Sequence, residues 1–182
     1  MGASAGGVDA WTVILPKLPL SIPVPIIIAQ HTSPSSENYI PIFLNDLCRL
    51  NVKEAEEKEE LITGNIYFSI PNYHLLIEED LTFSLSIEDK VNFSRPSIDI
   101  LFESASLVFG NKLIGILLTG SNSDGSNGLK TIKENGGLTI VKNPETANVN
   151  QMPLSAINKF NPDKVLNLDQ IAPYLIELFK IE

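Results

Sequence analysis

Leu113-Ile114-Gly115-Ile116-Leu117-Leu118-Thr119-Gly120-Ser121-Asn122-Ser123-Asp124-Gly125 decides the fold class. The first six residues are apolar without alternation, as expected for a strand covered on both faces, and such strands belong to parallel sheets enclosed by helices. The remainder is turn chemistry, so the strand should end abruptly in a polar loop. Working outward, Val24 to Ala29 and Thr139-Ile140-Val141 are further buried runs. Helical patterns alternate with them: Asn38 to Leu50, Gly128 to Glu134 and Pro173 to Ile181. After Pro96, the spacing of Ile98, Leu101, Phe102, Ala105 and Phe109 gives an apolar stripe, and Gly110 supplies a stop. That order predicts an α/β protein of βα units around a mostly parallel sheet.

The middle of the chain reads differently. Glu54 to Glu60 is an acidic run, read as a solvated loop. Ile66 to Ile70, Leu75 to Ile77 and Leu81 to Ile87, with a turn at Glu79-Asp80, are read as a hairpin-rich insertion. Neither an internal repeat nor a low-complexity linker is apparent, so residues 1–182 are expected to form one domain. Met1 stands immediately before Gly2, where an α/β protein carries a whole strand, so the start of that strand is expected to be missing.

With 22 acidic and 13 basic residues, the net charge of -9 repels polyanions, and nucleic-acid binding is not expected. The single cysteine, Cys48, excludes an intrachain disulfide and is read as a core residue among Leu44, Leu47 and Leu50. No segment has the length of a membrane-inserted helix, and no signal peptide opens the chain; the cytoplasm is the expected compartment. Two histidines and one cysteine show no ligand spacing, so no metal is expected.

Three polar clusters fall where strands should end, which is where open parallel sheets carry their sites. Gly2-Ala3-Ser4-Ala5-Gly6-Gly7 permits a tight turn that would leave Ser4 unshielded, ready to act as a nucleophile; a phosphate-cradling loop fits this hexapeptide equally well. Gln30-His31-Thr32 follows a buried run, and an imidazole there suits proton transfer near neutrality. His74, after Pro71-Asn72-Tyr73, is read as structural. In the third cluster Asp124 could orient an imidazole while turn N–H groups face an oxyanion; alternatively it caps the following helix. Serine, histidine and aspartate at three strand ends together favour a triad.

These residues carry a resemblance. The chain resembles the catalytic domain of the chemotaxis protein-glutamate methylesterases, the CheB family, through the glycine hexapeptide, Gln30-His31, Thr63-Gly64-Asn65-Ile66-Tyr67, Arg95-Pro96-Ser97-Ile98-Asp99, Leu118-Thr119-Gly120 with Asp124-Gly125, and Met152-Pro153. The resemblance implies a three-layer, doubly wound α/β/α sandwich with Ser4 as nucleophile, His31 as general base and Asp124 as orienting carboxylate. Ala5, Gly120, Ser121 and Asn122 fall at its oxyanion and substrate-binding positions. It implies no cofactor, and a substrate on methylated cytoplasmic helices of chemoreceptors, with deamidation of certain glutamines. A cognate methyltransferase and a receiver domain are the further partners it suggests.

Three departures stand out. Ala5 replaces the usual Thr or Ser after the nucleophile, Ser121-Asn122 replaces the usual Met-Gly, and only three residues precede Ser4 where two-domain members have a receiver. Alternative expectations are a small-molecule carboxylesterase with the same triad, a catalytically impaired signalling module and, more remotely, a phosphate-binding domain. Cleavage of simple esters without receptor demethylation marks the first, and receptor binding without turnover the second. Thermal stabilisation by nucleotides marks the third.

Overall fold

The computed structural model describes residues 1–33 and 39–181. Among the described residues, nine strands and six α-helices follow in chain order: β1 (Gly2–Ala3), α1 (Gly7–Ile14), β2 (Ile26–Gln30), α2 (Tyr39–Asn45), β3 (Asn51–Glu54), β4 (Asn65–Phe68), β5 (His74–Ile77), β6 (Phe83–Ser86), α3 (Ile98–Phe109), β7 (Ile114–Leu117), α4 (Ser126–Glu134), β8 (Leu138–Lys142), α5 (Gln151–Lys159), β9 (Lys164–Leu166) and α6 (Leu168–Leu178). Seven strands form one sheet in the order β3-β4-β2-β1-β7-β8-β9, and every pairing in it is parallel. β5 and β6 pair separately as an antiparallel hairpin.

The unbroken apolar runs have the predicted cause. Consecutive residues of a strand face opposite ways, and here both faces are covered. Ile28, Ile116 and Ile140 enter one buried cluster with Trp11 and Ile14 of α1, Leu44 of α2 and Ile171 and Leu175 of α6. Their neighbours Ala29, Leu117 and Val141 enter the other, with Leu101 and Phe102 of α3, Leu129 and Ile132 of α4, Ala156 of α5 and the hairpin residues Leu75 and Phe83. Three layers result, as expected.

Several sequence readings need correction. Ile66 to Phe68 belongs to the central sheet: β4 lies parallel between β3 and β2, and only β5 and β6 make the hairpin. The run is buried on both faces, which a short apolar segment between turns does not reveal. The acidic stretch begins inside β3 and carries the fully buried Ala55, so it is not simply a solvated loop. The helix expected from Asn38 to Leu50 stops at Asn45, and its first residue lies outside those described. α6 starts at Leu168 behind a capping box of Asn167 and Gln170, with Pro173 inside it rather than at its start. α5 and the edge strand β9 had no predicted counterpart.

Cys48 packs against the core, and burial pushes its thiol up to about 11, in keeping with an unreactive residue. Among the described residues, no helix is long and apolar enough to cross a membrane.

The chain crosses from one half of the sheet to the other at β1, which pairs with β2 on one side and β7 on the other. A crevice is expected beyond the carboxyl ends of strands at such a switch point. Ser4, His31 and the Thr119 to Asp124 loop all lie there.

Candidate active site

Ser4 follows β1 on a tight turn. Its carbonyl accepts the Gly7 N–H at 2.9 Å, and Gly6 closes the turn at φ 79°, a left-handed conformation that glycine adopts without steric cost. The Ser4 N–H donates to Thr119 O at 2.8 Å, and the His31 N–H donates to Ala3 O at 3.0 Å. Since Ala3 and Gln30 are partners in register, Ser4 and His31 occupy the next position of adjacent strands. Gln30 locks them in place: its Nε2 donates to Ser4 O at 3.0 Å and His31 O at 2.9 Å, while its Oε1 accepts from Trp11 Nε1 at 2.8 Å. The Ser4 side chain is half-buried, and its hydroxyl makes no hydrogen bond among the described residues.

His31 and Asp124 meet directly. Nε2–H of His31 donates to Asp124 Oδ2 at 2.7 Å, and the carboxylate is fully buried. Four further donors converge on it: Ile98 N–H at 2.7 Å, Ser97 Oγ at 2.8 Å, Asn92 Nδ2 at 3.0 Å and Asp99 N–H at 3.2 Å. Ile98 and Asp99 open α3, so the carboxylate lies against that helix's positive end. Burial alone would raise its pKa, but the bonds from His31, Ile98 and Asn92 outweigh that and hold Asp124 below the ordinary carboxylate range. The two sequence readings of Asp124 thus merge. It contacts the imidazole and it satisfies a helix terminus, though that of α3 rather than of α4, whose own cap is Gly125.

Asp99 is a second buried carboxylate beside it. It accepts from Gly128 N–H at 2.7 Å, Asn92 Nδ2 at 2.9 Å and Asn127 Nδ2 at 3.2 Å. Burial raises its pKa above the usual value, the Gly128 bond opposes the shift, and the nearby Asp124 charge adds to it. Asn92 therefore links two acids through one amide.

The remaining predicted residues divide. The N–H groups of Ala5 and Ser121 have no acceptor among the described residues, whereas that of Gly120 is engaged by Val149 O at 3.1 Å. Gly120 contributes space instead: a Cβ there would lie 2.5 Å from Met152 Cε and 2.9 Å from Ser4 Cβ. Asn122 braces the loop, its Oδ1 accepting the Asp124 N–H at 3.2 Å and its Nδ2 donating to Asn92 O at 3.4 Å. A polar cleft of about 650 Å³ opens alongside, lined by Asn92, Phe93, Ser121, Asn122, Val149 and Gln151 among others.

Asn92, Ser94, Ser97 and Asp99 were not singled out individually from the sequence. Ser97 had a readable signal, a serine before an apolar helical stripe with an acid in its first turn; the others had none. His74 has the structural role expected. It is buried, its Nδ1 accepts the Ser97 N–H at 3.1 Å and its Nε2–H donates to Asp89 O at 3.0 Å.

Fold and site together define a class: a parallel α/β protein with a serine, a histidine and a buried aspartate gathered at the carboxyl edge of its sheet. Residues 1–175 match the family model described as CheB methylesterase. The chain belongs to the CheB methylesterase family. A Leptospira interrogans protein provisionally named protein-glutamate methylesterase/protein-glutamine glutaminase is 54% identical over 178 residues, covering 98% of this chain and 92% of the relative. A Salmonella typhimurium protein-glutamate methylesterase/protein-glutamine glutaminase is 35% identical over 97% of this chain, which spans 51% of that relative. The crystal structure of the Thermotoga maritima CheB methylesterase catalytic domain superposes with a TM-score of 0.94 at 35% identity, covering 97% of this chain and 95% of that one.

Proposed function

We propose that this chain hydrolyses glutamyl methyl esters on the cytoplasmic helices of chemoreceptors and deamidates receptor glutamines, working in the cytoplasm without a cofactor, with residues 1–182 forming one catalytic domain. The observation that carries the reading is the 2.7 Å contact between a fully buried, multiply bonded Asp124 and His31, which lies opposite Ser4 in the register of the adjacent strand. The names of the relatives supply the substrate class.

In this mechanism Asp124 keeps hydrogen on Nε2 of His31, so Nδ1 carries the lone pair. Ser4 Oγ gives its proton to Nδ1 and attacks the ester carbonyl. The Ala5 and Ser121 N–H groups stabilise the oxyanion; removing such a donor costs about 3 kcal/mol in other acyl-transfer enzymes. The tetrahedral adduct then expels methanol, which takes the proton from the imidazole, and leaves an acyl group on Ser4. Water, deprotonated by the same nitrogen, releases glutamate. With a glutamine substrate the leaving group is ammonia.

Ser4→Ala tests the reading. Methanol release from methylated receptor should vanish while the unfolding temperature barely changes, since a half-buried hydroxyl without a hydrogen bond contributes little to folding. Retained turnover would remove Ser4 from the mechanism.

A further inference from the structure

The lone pair that the mechanism requires is already engaged. Because the Asp124 carboxylate accepts at Nε2, the hydrogen of the neutral imidazole sits there and Nδ1 is an acceptor. Ser94 Oγ lies 3.2 Å from Nδ1 and must donate to it. Asn122 Nδ2, at 3.5 Å from the Ser94 oxygen, approaches as a donor, which directs the Ser94 proton toward the imidazole. Ser4 Oγ meanwhile has no hydrogen bond among the described residues.

The backbone makes this arrangement deliberate in the energetic sense. Ser94 ends a two-residue reverse turn in which Val91 and Ser94 exchange N–H to carbonyl bonds of 3.2 and 2.9 Å. The central residues, Asn92 at φ 49° and Phe93 at φ 63°, are left-handed, a conformation unfavourable for a bulky aromatic. The turn is held against the site by Asn92, whose amide bonds both Asp124 and Asp99. Phe93 at its tip is 95% exposed and borders both the large cleft and a smaller recess of about 80 Å³ containing His31 and Ser94. One strained turn thus grips the carboxylate with one side chain and the base nitrogen with another.

We propose that Ser94 is a positioning residue that competes with Ser4 for Nδ1 of His31, in the free protein and with substrate bound alike, so that the base must leave Ser94 before it can take the Ser4 proton. The inference rests on the assignment of Ser4 as nucleophile. It requires no new chemistry: the proton of Ser94 stays on Ser94, and only the hydrogen-bond partner of Nδ1 changes.

The test compares wild type, Ser94→Ala, Ser94→Thr and Ser4→Ala, using methanol release from methylated receptor and the ¹⁵N NMR signal of His31 Nδ1 in the free protein. Ser94→Ala should raise kcat about fivefold with KM unchanged, the factor set by losing one net hydrogen bond, and should move the Nδ1 signal toward that of an unbonded nitrogen. Ser94→Thr, which keeps the hydroxyl, should restore both wild-type values. An Nδ1 signal identical in wild type and Ser94→Ala overturns the proposal, as does an unchanged or reduced kcat. Loss of turnover in Ser94→Ala with turnover kept in Ser4→Ala would instead make Ser94 the nucleophile and defeat the functional reading as well. Loss in both would make Ser94 a proton relay and defeat only the competition.

Discussion

At the scale of single residues, Asp124 has two physical roles that one substitution separates. Its two oxygens accept five hydrogen bonds and donate none, so an amide in its place must turn an NH₂ toward at least one existing donor. Asp124→Asn is therefore expected to destabilise the fold by about 1–3 kcal/mol. It should also lower kcat on the order of 10⁴-fold, because the imidazole loses the partner that fixes its tautomer. Thermal unfolding and methanol release measure the two effects independently; a stability loss with unaltered kcat would reduce Asp124 to a cap for α3. His31 and Asp124 were legible in the sequence because each belongs to a polar cluster that follows a buried run, and such a cluster must emerge at a strand end. Ser94 and Asn92 were not, since nothing local distinguishes them from any turn residues and their importance arises only when the turn folds back onto a strand 63 residues away in sequence.

Among the elements, α3 has the largest influence on the site, because its first turn binds Asp124 and Asp99 hangs from it. Its position depends on a close crossing with α4 at Gly128, where a Cβ would lie 2.6 Å from Phe102 Cβ and 2.8 Å from the Asp99 carbonyl oxygen. The second of these atoms is backbone and cannot swing away. Gly128→Ala should push the helices apart, lengthen the bond from its N–H to Asp99 and cost about 1–3 kcal/mol through overpacking. Urea unfolding would reveal this as a lower midpoint, and an unchanged midpoint would mean that the crossing tolerates a methyl group. The strand β7 and the helix α3 were readable in advance because each carries a long enough pattern: an unbroken apolar run in one, a 3.6-residue stripe in the other. β4 was not. Four residues between turns fit an exposed hairpin and a central strand alike, and only its partners β3 and β2 decide the matter. β9, three residues long and partly exposed at the sheet edge, has no pattern of its own.

For the whole molecule, the two neighbouring acids make opposite contributions to stability as pH changes. Asp124 is held below the ordinary carboxylate value, so near that value the unfolded chain binds a proton that the folded chain refuses. Its contribution is complete above about pH 3.9 and is lost as pH falls through that point toward the folded value. Asp99, raised by burial, behaves in reverse: the unfolded chain ionises first, and stability declines as pH rises from about 3.9 through the folded value. Urea midpoints taken between about pH 3 and pH 7 should therefore fall less steeply on the acid side in Asp124→Asn than in the wild type. Asp99→Asn should remove the decline on the other side, while lowering the whole curve because Gly128 and Asn127 lose their charged acceptor. Parallel curves for wild type and Asp124→Asn would mean that the end of α3 does not hold a charge, and with it would go the reason for His31 to keep its hydrogen on Nε2.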